Sequence, residues 1–412
     1  MSRLWVDVSD LFGHHGAFSR PSGIQRVIFE LGQALAATDP DEARIRFVRA
    51  SGSAYLPVAW RTIAQLFLSL TDEAPPHQPP LTTALQLQFE ALRALLAIPQ
   101  TLRPPTGEHG TPAAMERGDT LLILGAGWSD VGQVARLAAL RQRHAIRIAL
   151  LVHDIIPLLR PEWSDPIYAA RFRQWFDGML PLCDRLLANS AFTAADVARY
   201  RRTQGLPDCD IPLIRLGDGF SQAGPGAEIS HGINRPYALV VSTIELRKNH
   251  ALLVDAWQAL LARHGPDAVP ALVFAGREGA LSHDLMQRLH ATKNLGGHVI
   301  LRPSASDAEI AALYRGCSFT VFPSLYEGWG LPVAESLAFG KPCLASNATS
   351  VPEVGGDLAS YFDPLDLGAT IACIEAILGD PAGLAAWEAE IRQDFRRTPW
   401  SHTAEGLLAG VA

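Results

Sequence analysis

Glu327 and Glu335 stand eight residues apart around the turn Gly328, Trp329, Gly330 and Leu331 in the stretch FPSLYEGWGLPVAESLAFGKP. An apolar run ends at Pro323, Pro332 suits the first turn of a helix, and Gly340 followed by Pro342 stops it, so the stretch reads as strand, glycine turn and short helix. Free backbone N–H groups and the dipole at such a helix start favour an anion such as a diphosphate. Gly328, Trp329, Gly330 and Leu331 are therefore a candidate pyrophosphate cradle. An ionised carboxylate accepts two hydroxyl hydrogen bonds, so Glu335 suits a ribose diol. The alternative is that two glutamates near a helix N-terminus only complement its dipole.

Other residue types point to the same kind of chemistry. Arg247 and Lys248 are consecutive cations, suited to stabilising a departing nucleotide; the alternative is a solvated basic helix start. His153 and Asp154 end the apolar run of RIALLVHDIIP, at the carboxyl edge of a parallel sheet where α/β proteins bind ligands, although a histidine there can be structural. Gly23, in SRPSGIQRVIFELGQAL, lets a backbone approach a ligand at a helix start or simply begins the helix, and Arg26 lies on the turn that follows. Asn189 and Ser190 of NSAFTAADV are polar groups at another strand end, where capping explains Ser190 or Thr193 equally well.

These residues need a scaffold, and the chain supplies one in alternating apolar runs and amphipathic stretches, the pattern of strands and helices in α/β folds with parallel sheets. In the first half the expected strands are Leu4 to Val8, Ile45 to Val48, Thr120 to Leu124, Arg147 to His153, Arg185 to Ala188 and Pro212 to Arg215, with helices at Gly23 to Ala37 and Val131 to Arg143. The stretch SQAGPGAEISHGINRP, from Ser221 to Pro236, has the composition of a connection. A second set follows: strands at Tyr237 to Ser242, Ala271 to Ala275, His298 to Leu301, Phe319 to Pro323, Pro342 to Ser346 and Ala359 to Phe362, with a helix from Asn249 to Arg263. Two Rossmann-like domains are expected, at 1–228 and 229–395. Proline clusters bracket an amphipathic segment from Leu81 to Leu96, read as a surface excursion or flap, with a membrane or acceptor contact as the alternative.

Composition narrows the function classes. A chain of 412 residues, 48% hydrophobic and 19% charged, is too long for one small core and too apolar for disorder. With 42 acids against 35 Lys and Arg, the formal charge of -7 argues against nucleic acid as the main ligand. Five cysteines without CxxC spacing suggest neither a zinc site nor a disulfide framework, and fit a reducing cytoplasm. The opening MSRLWVDVSDLF has no apolar h-region and reads as a first strand, and no run reaches the length of a membrane span. Asp208, Cys209 and Asp210 read as a polar loop, so no obligatory metal or cofactor is expected.

The stretch around Glu327 and Glu335 resembles glycosyltransferase family 4, whose E-x7-E motif these residues match. The likeness extends through VVSTIELRKNHALLVDAWQAL, FAGREG and SNATSVPEVGGDLASYFDP, most of the second half. It implies a GT-B architecture: two Rossmann-like domains with a cleft between them, and a C-terminal helix, 396–412, crossing back to the first through FRRTPWSHTAEGLL. By resemblance Glu327 lies by the transferred sugar, Glu335 on the ribose, Lys248 on the diphosphate, His153 on the donor sugar and Asp154 towards the acceptor. Ser242 and Thr243 stand where family members often carry an arginine, which Arg247 would replace. The GIQRV segment is similar to bacterial mannosyl- and rhamnosyl-type transferases of polysaccharide and O-antigen assembly. The resemblance thus implies a retaining hexosyltransferase with a nucleotide-sugar co-substrate, GDP-mannose first and UDP-, dTDP-sugars or GDP-fucose open, and a glycan or lipid-linked acceptor. Lipid-linked acceptors imply work at the inner face of the cytoplasmic membrane, where ARFRQWFDGMLPL offers an aromatic and basic surface; a buried helix is the alternative.

Other classes remain at this level: a nucleotide-sugar epimerase or hydrolase of the same architecture, or a non-catalytic nucleotide-sugar-binding subunit. A dinucleotide oxidoreductase is disfavoured because Gly125 and Gly127 are followed by Asp130 at the third glycine position.

Overall fold

A computed structural model describes residues 2–12, 21–71, 112–218 and 232–412. The segment Leu81 to Leu96 and most of the connection from Ser221 to Pro236 lie outside them. Strands β1 (Leu4–Asp7), β2 (Ile45–Ser51), β3 (Ala54–Pro57), β4 (Thr120–Ile123), β5 (Arg147–Val152) and β6 (Arg185–Ala188) form one sheet in the order β3-β2-β1-β4-β5-β6. All its pairs are parallel except β2–β3. Strands β7 (Tyr237–Val241), β8 (Ala271–Ala275), β9 (Val299–Arg302), β10 (Phe319–Phe322), β11 (Cys343–Ser346) and β12 (Ser360–Phe362) form a second, in the order β12-β11-β10-β7-β8-β9, parallel throughout.

The strands are short apolar runs because helices cover both faces of each sheet. Trp5 and Val6, neighbours on β1 with side chains on opposite faces, are both fully buried in separate cores, as a two-sided parallel sheet demands. In the first sheet the strand order reverses between β1 and β4, in the second between β7 and β10. Such switch points open a crevice at the carboxyl ends of the strands. The helix Trp400–Val411 returns to the first domain, where Ala404, Leu407 and Val411 share a core with Leu187 and Ile214. Just before it, Asp218 N donates to Thr398 O at 2.9 Å and Thr398 N to the Asp218 carboxylate at 2.8 Å.

Two elements differ from the sequence reading. Pro212 to Arg215 is no strand: it makes only a parallel bridge between Leu213 and Ala188, since Pro212 has no N–H to extend the ladder. The hairpin partner β3 was not expected. Its four residues follow Ser51, Gly52 and Ser53, whose composition reads as loop, and Gly52 takes the left-handed conformation, φ 54°, that turns β2 back on itself.

Candidate active site

On the second domain, β10 runs into the glycine turn and the helix Leu331–Ala338. Gly330 caps this helix at φ 126°, a backbone state that excludes most side chains, and no side chain caps its N-terminus. Gly340, φ 68°, ends it, as the sequence implied. The turn is pinned from the next strand–helix connection: Glu327 N donates to Thr349 Oγ1 at 2.9 Å, and Ser350 Oγ donates to the carbonyls of Glu327 and Trp329 at 2.9 and 2.8 Å.

Arg247 and Lys248 converge on Glu327. Lys248 Nζ lies 2.5 Å and Arg247 Nη1 3.0 Å from Glu327 Oε1. Arg247 also donates to Tyr326 O at 2.6 Å and to Glu245 at 2.8 Å. The solvated helix start is therefore corrected: both cations sit in a 3-10 turn, Leu246–Lys248, ahead of the helix His250–His264, and are largely buried. Asn249, in the left-handed region at φ 59°, ties that turn to Pro323 O and Pro364 O at 3.2 and 2.8 Å. Burial pushes the Glu327 carboxyl up, but Arg247 and Lys248 outweigh it and bring it down to about 2. Burial lowers Lys248, with Glu327 opposing.

Glu335, only 4% exposed, has different partners. Tyr314 Oη donates to Oε2 at 2.9 Å, and Arg26 Nη1, from the first domain, is 3.5 Å from Oε1. Burial raises its carboxyl and Arg26 opposes the rise. The two glutamates of the motif thus titrate in opposite directions.

On the first domain, β5 ends at Val152 and places His153 and Asp154 just beyond its carboxyl end. His153 Nε2 lies 2.7 Å from Leu124 O. A carbonyl only accepts, so the proton is on Nε2 and Nδ1 is an acceptor in the neutral ring. Burial lowers the His153 pKa and keeps the ring neutral. Asp154 Oδ1 accepts from Ile156 N at 3.0 Å; burial raises its carboxyl, and the Arg247 charge works against that. Gly23 opens the helix Gly23–Thr38 behind a Ser22/Gln25 capping box, and a Cβ there would meet nothing within 4 Å. Ser190 caps the helix Ala191–Thr203 through Thr193 N at 3.0 Å, while the Asn189 side-chain oxygen is buried without a partner among the described residues.

The two walls touch. A Cβ on Gly328 would stand 1.9 Å from His153 O and 2.9 Å from Asp154 Cβ, so only glycine permits this approach. Thr193 Oγ1 donates to Gly328 O at 3.2 Å. Glu353, from the second domain, accepts from Ala191 N and Phe192 N at 2.7 and 2.8 Å, closing the first turn of a helix in the other domain. Arg26 crosses to Asp307 at 2.7 Å as well as to Glu335. The Trp329 ring belongs to a buried cluster with Val27 and Leu216 of the first domain and with Val333 and Val354, which leaves its backbone, and that of the partly buried Leu331, for the cradle expected from sequence.

Residues 228–394 match the family of glycosyl transferases group 1. The second domain is a group 1 glycosyltransferase domain. The chain is 29% identical over 270 residues to the serotype-specific mannosyltransferase WbdA of Escherichia coli, covering 63% of this chain and 32% of that protein. It is 36% identical over 144 residues to O-antigen chain mannosyltransferase B of the same species, 35% of this chain and 37% of that one. The chain thus spans about a third of the length of these curated relatives. Among solved structures, Anabaena HepE in complex with UDP and glucose aligns over 100% of this chain and 99% of its own, TM-score 0.60 at 14% identity. Sucrose-phosphate synthase from Thermosynechococcus elongatus aligns over 99% and 94%, TM-score 0.56 at 18% identity. The glycosyltransferase domain and its partner have the GT-B architecture, as the motifs implied.

Several residues around this cleft were not singled out by sequence. Tyr326, whose Oη bonds Asp196 across the domains, Thr349, Ser350 and Glu353 join positions 21 to 162 residues apart, and no local pattern announces such pairings. The glycines of LILGAGWSDVG have a packing explanation. A Cβ at Gly125 would meet Asp10 Cβ at 2.7 Å, and one at Gly127 would meet Gln133 Oε1 at 2.0 Å. The aromatic stretch ARFRQWFDGM turns Phe172, Trp175, Phe176 and Met179 into the core. Among the described residues no single helix is long and apolar enough to cross a membrane.

Proposed function

We propose that the chain is a retaining hexosyltransferase that moves a sugar from a nucleotide donor to a glycan or lipid-linked glycan acceptor in polysaccharide assembly, at the inner face of the cytoplasmic membrane. The supporting observation is the convergence of Arg247 and Lys248 on Glu327 beside an uncapped helix N-terminus. Mannose from GDP-mannose is the first candidate donor, because the relatives named above are mannosyltransferases.

A diphosphate placed at the N–H groups of Gly330 and Leu331 would lie beside Arg247 and Lys248, which would stabilise the charge of the leaving group. Glu335 Oε1 would accept from a ribose hydroxyl while Tyr314 holds Oε2. His153 Nδ1 would accept a hydrogen bond from the donor sugar, and Asp154 one from the acceptor. The acceptor oxygen attacks the anomeric carbon on the face that the phosphate leaves, and its proton passes to the departing phosphate oxygen. Configuration is kept, and catalysis rests on positioning and on charge. No obligatory metal enters this scheme.

A thermal-shift panel of GDP-, UDP- and dTDP-sugars, followed by transfer assays with the stabilising donor, tests the reading. GDP-mannose should raise the melting temperature most and yield a new glycosidic product. Free sugar or an epimer as the only product, with acceptor present, would replace it by the hydrolase or epimerase alternative.

A further inference from the structure

A partly enclosed cavity of about 50 Å³ lies beside Asp154 and His153, and every described residue that lines it belongs to the first domain. Trp128, Tyr168, Phe172 and Trp175 form its aromatic wall. The rings brace one another: Trp128 is 4.8 Å from Phe172 and 5.3 Å from Trp175 between centroids. Behind them runs a relay of hydrogen bonds. Trp175 Nε1 donates to Gln133 Oε1 at 2.7 Å, Gln133 Nε2 to Asp7 Oδ2 at 3.3 Å, and Tyr55 Oη to the same oxygen at 3.1 Å. Gly127 lies flush on this relay, its missing Cβ replaced by Gln133 Oε1 and Trp175 Nε1. Protein interiors leave few voids larger than a water molecule, yet here a buttressed wall holds one open next to a carboxylate.

Size and lining decide what enters. A cavity of about 150 Å³ holds benzene and a single water needs about 10–15 Å³, so this space takes a methyl or acetyl group and not a sugar ring. We infer that the cavity receives a methyl-bearing substituent of the acceptor sugar, an N-acetyl or a deoxy methyl group, while Asp154 accepts a hydroxyl hydrogen bond from the same sugar. The acceptor is favoured over the donor because the lining includes Asp154, the residue placed towards the acceptor, while Arg247, Lys248 and Glu327 belong to the second domain; His153, at the edge of the same cavity, is the group shared with the donor sugar. Asp154 Oδ1 is occupied by Ile156 N, which leaves Oδ2 for the ligand. The inference rests on the transferase reading and adds a substrate class to it.

The test needs no turnover. Saturation-transfer NMR on the full chain, with GDP present, compares N-acetylglucosamine with glucose, and D-rhamnose, the 6-deoxy sugar, with D-mannose. The N-acetyl or C6 methyl protons should receive the strongest saturation; N-acetylglucosamine should bind about fourfold tighter than glucose, the worth of one buried carbon, and the 6-deoxy sugar tighter than mannose, whose C6 hydroxyl would be buried in the aromatic wall without a partner. Ile24 also lines the cavity, and Ile24→Phe, which fills it, should erase the difference while weak binding of glucose and mannose persists. Equal binding within both pairs, saturation spread evenly over ring protons, or a preference that survives Ile24→Phe would overturn the inference. Methyl saturation seen only with a 6-deoxy nucleotide sugar would overturn the acceptor assignment. If methyl selectivity is found but no sugar is transferred, the transferase reading fails and the pocket stands. Transfer without methyl selectivity removes the pocket alone.

Discussion

The two walls of the cleft share a strand order but meet a ligand with different chemistry. The second domain presents charge: Arg247 and Lys248 share one oxygen of Glu327 next to a helix N-terminus. The first presents a neutral imidazole, a carboxylate raised by burial and an aromatic cavity. Charge suits a phosphate common to every nucleotide sugar, whereas shape and rings suit a partner that varies between enzymes. On the proposed function, donor affinity falls to the second domain and acceptor choice to the first, with Gly328 as the point where the two must fit.

The comparison breaks most readily at the cations. Lys248→Ala should lower transfer by about 10²–10³-fold, the loss seen when one donor to a developing charge is removed, while circular dichroism remains native. A variant with full activity would remove Lys248 from the site. Gly328→Ala comes next. Its Cβ cannot share space with His153 O, so the walls separate, and a misplacement of about 1 Å costs about 10²-fold. Small-angle scattering should show a more open chain, and wild-type activity with unchanged scattering would contradict the closed geometry.

Loss of the Glu353 contact is gentler. Glu353→Gln weakens two charge-assisted hydrogen bonds to the helix Ala191–Thr203, worth about 1 kcal/mol, and should raise KM for donor severalfold with little change in kcat if it aids closure. A fall confined to kcat would give Glu353 a different role.

The smallest effect is in pH. Glu327 has a lower pKa folded, about 2, than unfolded, about 4.5. Its contribution to stability is therefore present above about pH 4.5 and lost as pH falls towards 2. Chemical unfolding of Glu327→Gln should show a shallower loss of stability than wild type across that window, and parallel curves would place the titration elsewhere.

Much of the second wall was legible because its signals are local. A strand, a glycine turn, a proline in the first helical turn and a terminal glycine occur in order from Phe319 to Gly340. That Lys248 meets Glu327 was not, since 79 residues separate them, and only the resemblance brought them together. The first wall was less legible. Apolar runs disclosed β1, β2, β4, β5 and β6, but the cavity is made by Trp128, Phe172 and Trp175, aromatic residues whose sequence pattern is that of ordinary core. The linkage of Glu335 to Arg26 and of Glu353 to Ala191 depends on how two domains close, which periodicity within either domain does not encode.

The central claim is that Arg247 and Lys248, beside Glu327, bind the donor diphosphate, and calorimetric titration of GDP into wild type, Lys248→Ala and Glu327→Gln tests it most directly. The account predicts tighter GDP binding in Glu327→Gln, because the competing carboxylate charge is gone, together with weaker binding in Lys248→Ala and lost transfer in both. GDP binding unchanged by both substitutions would contradict it.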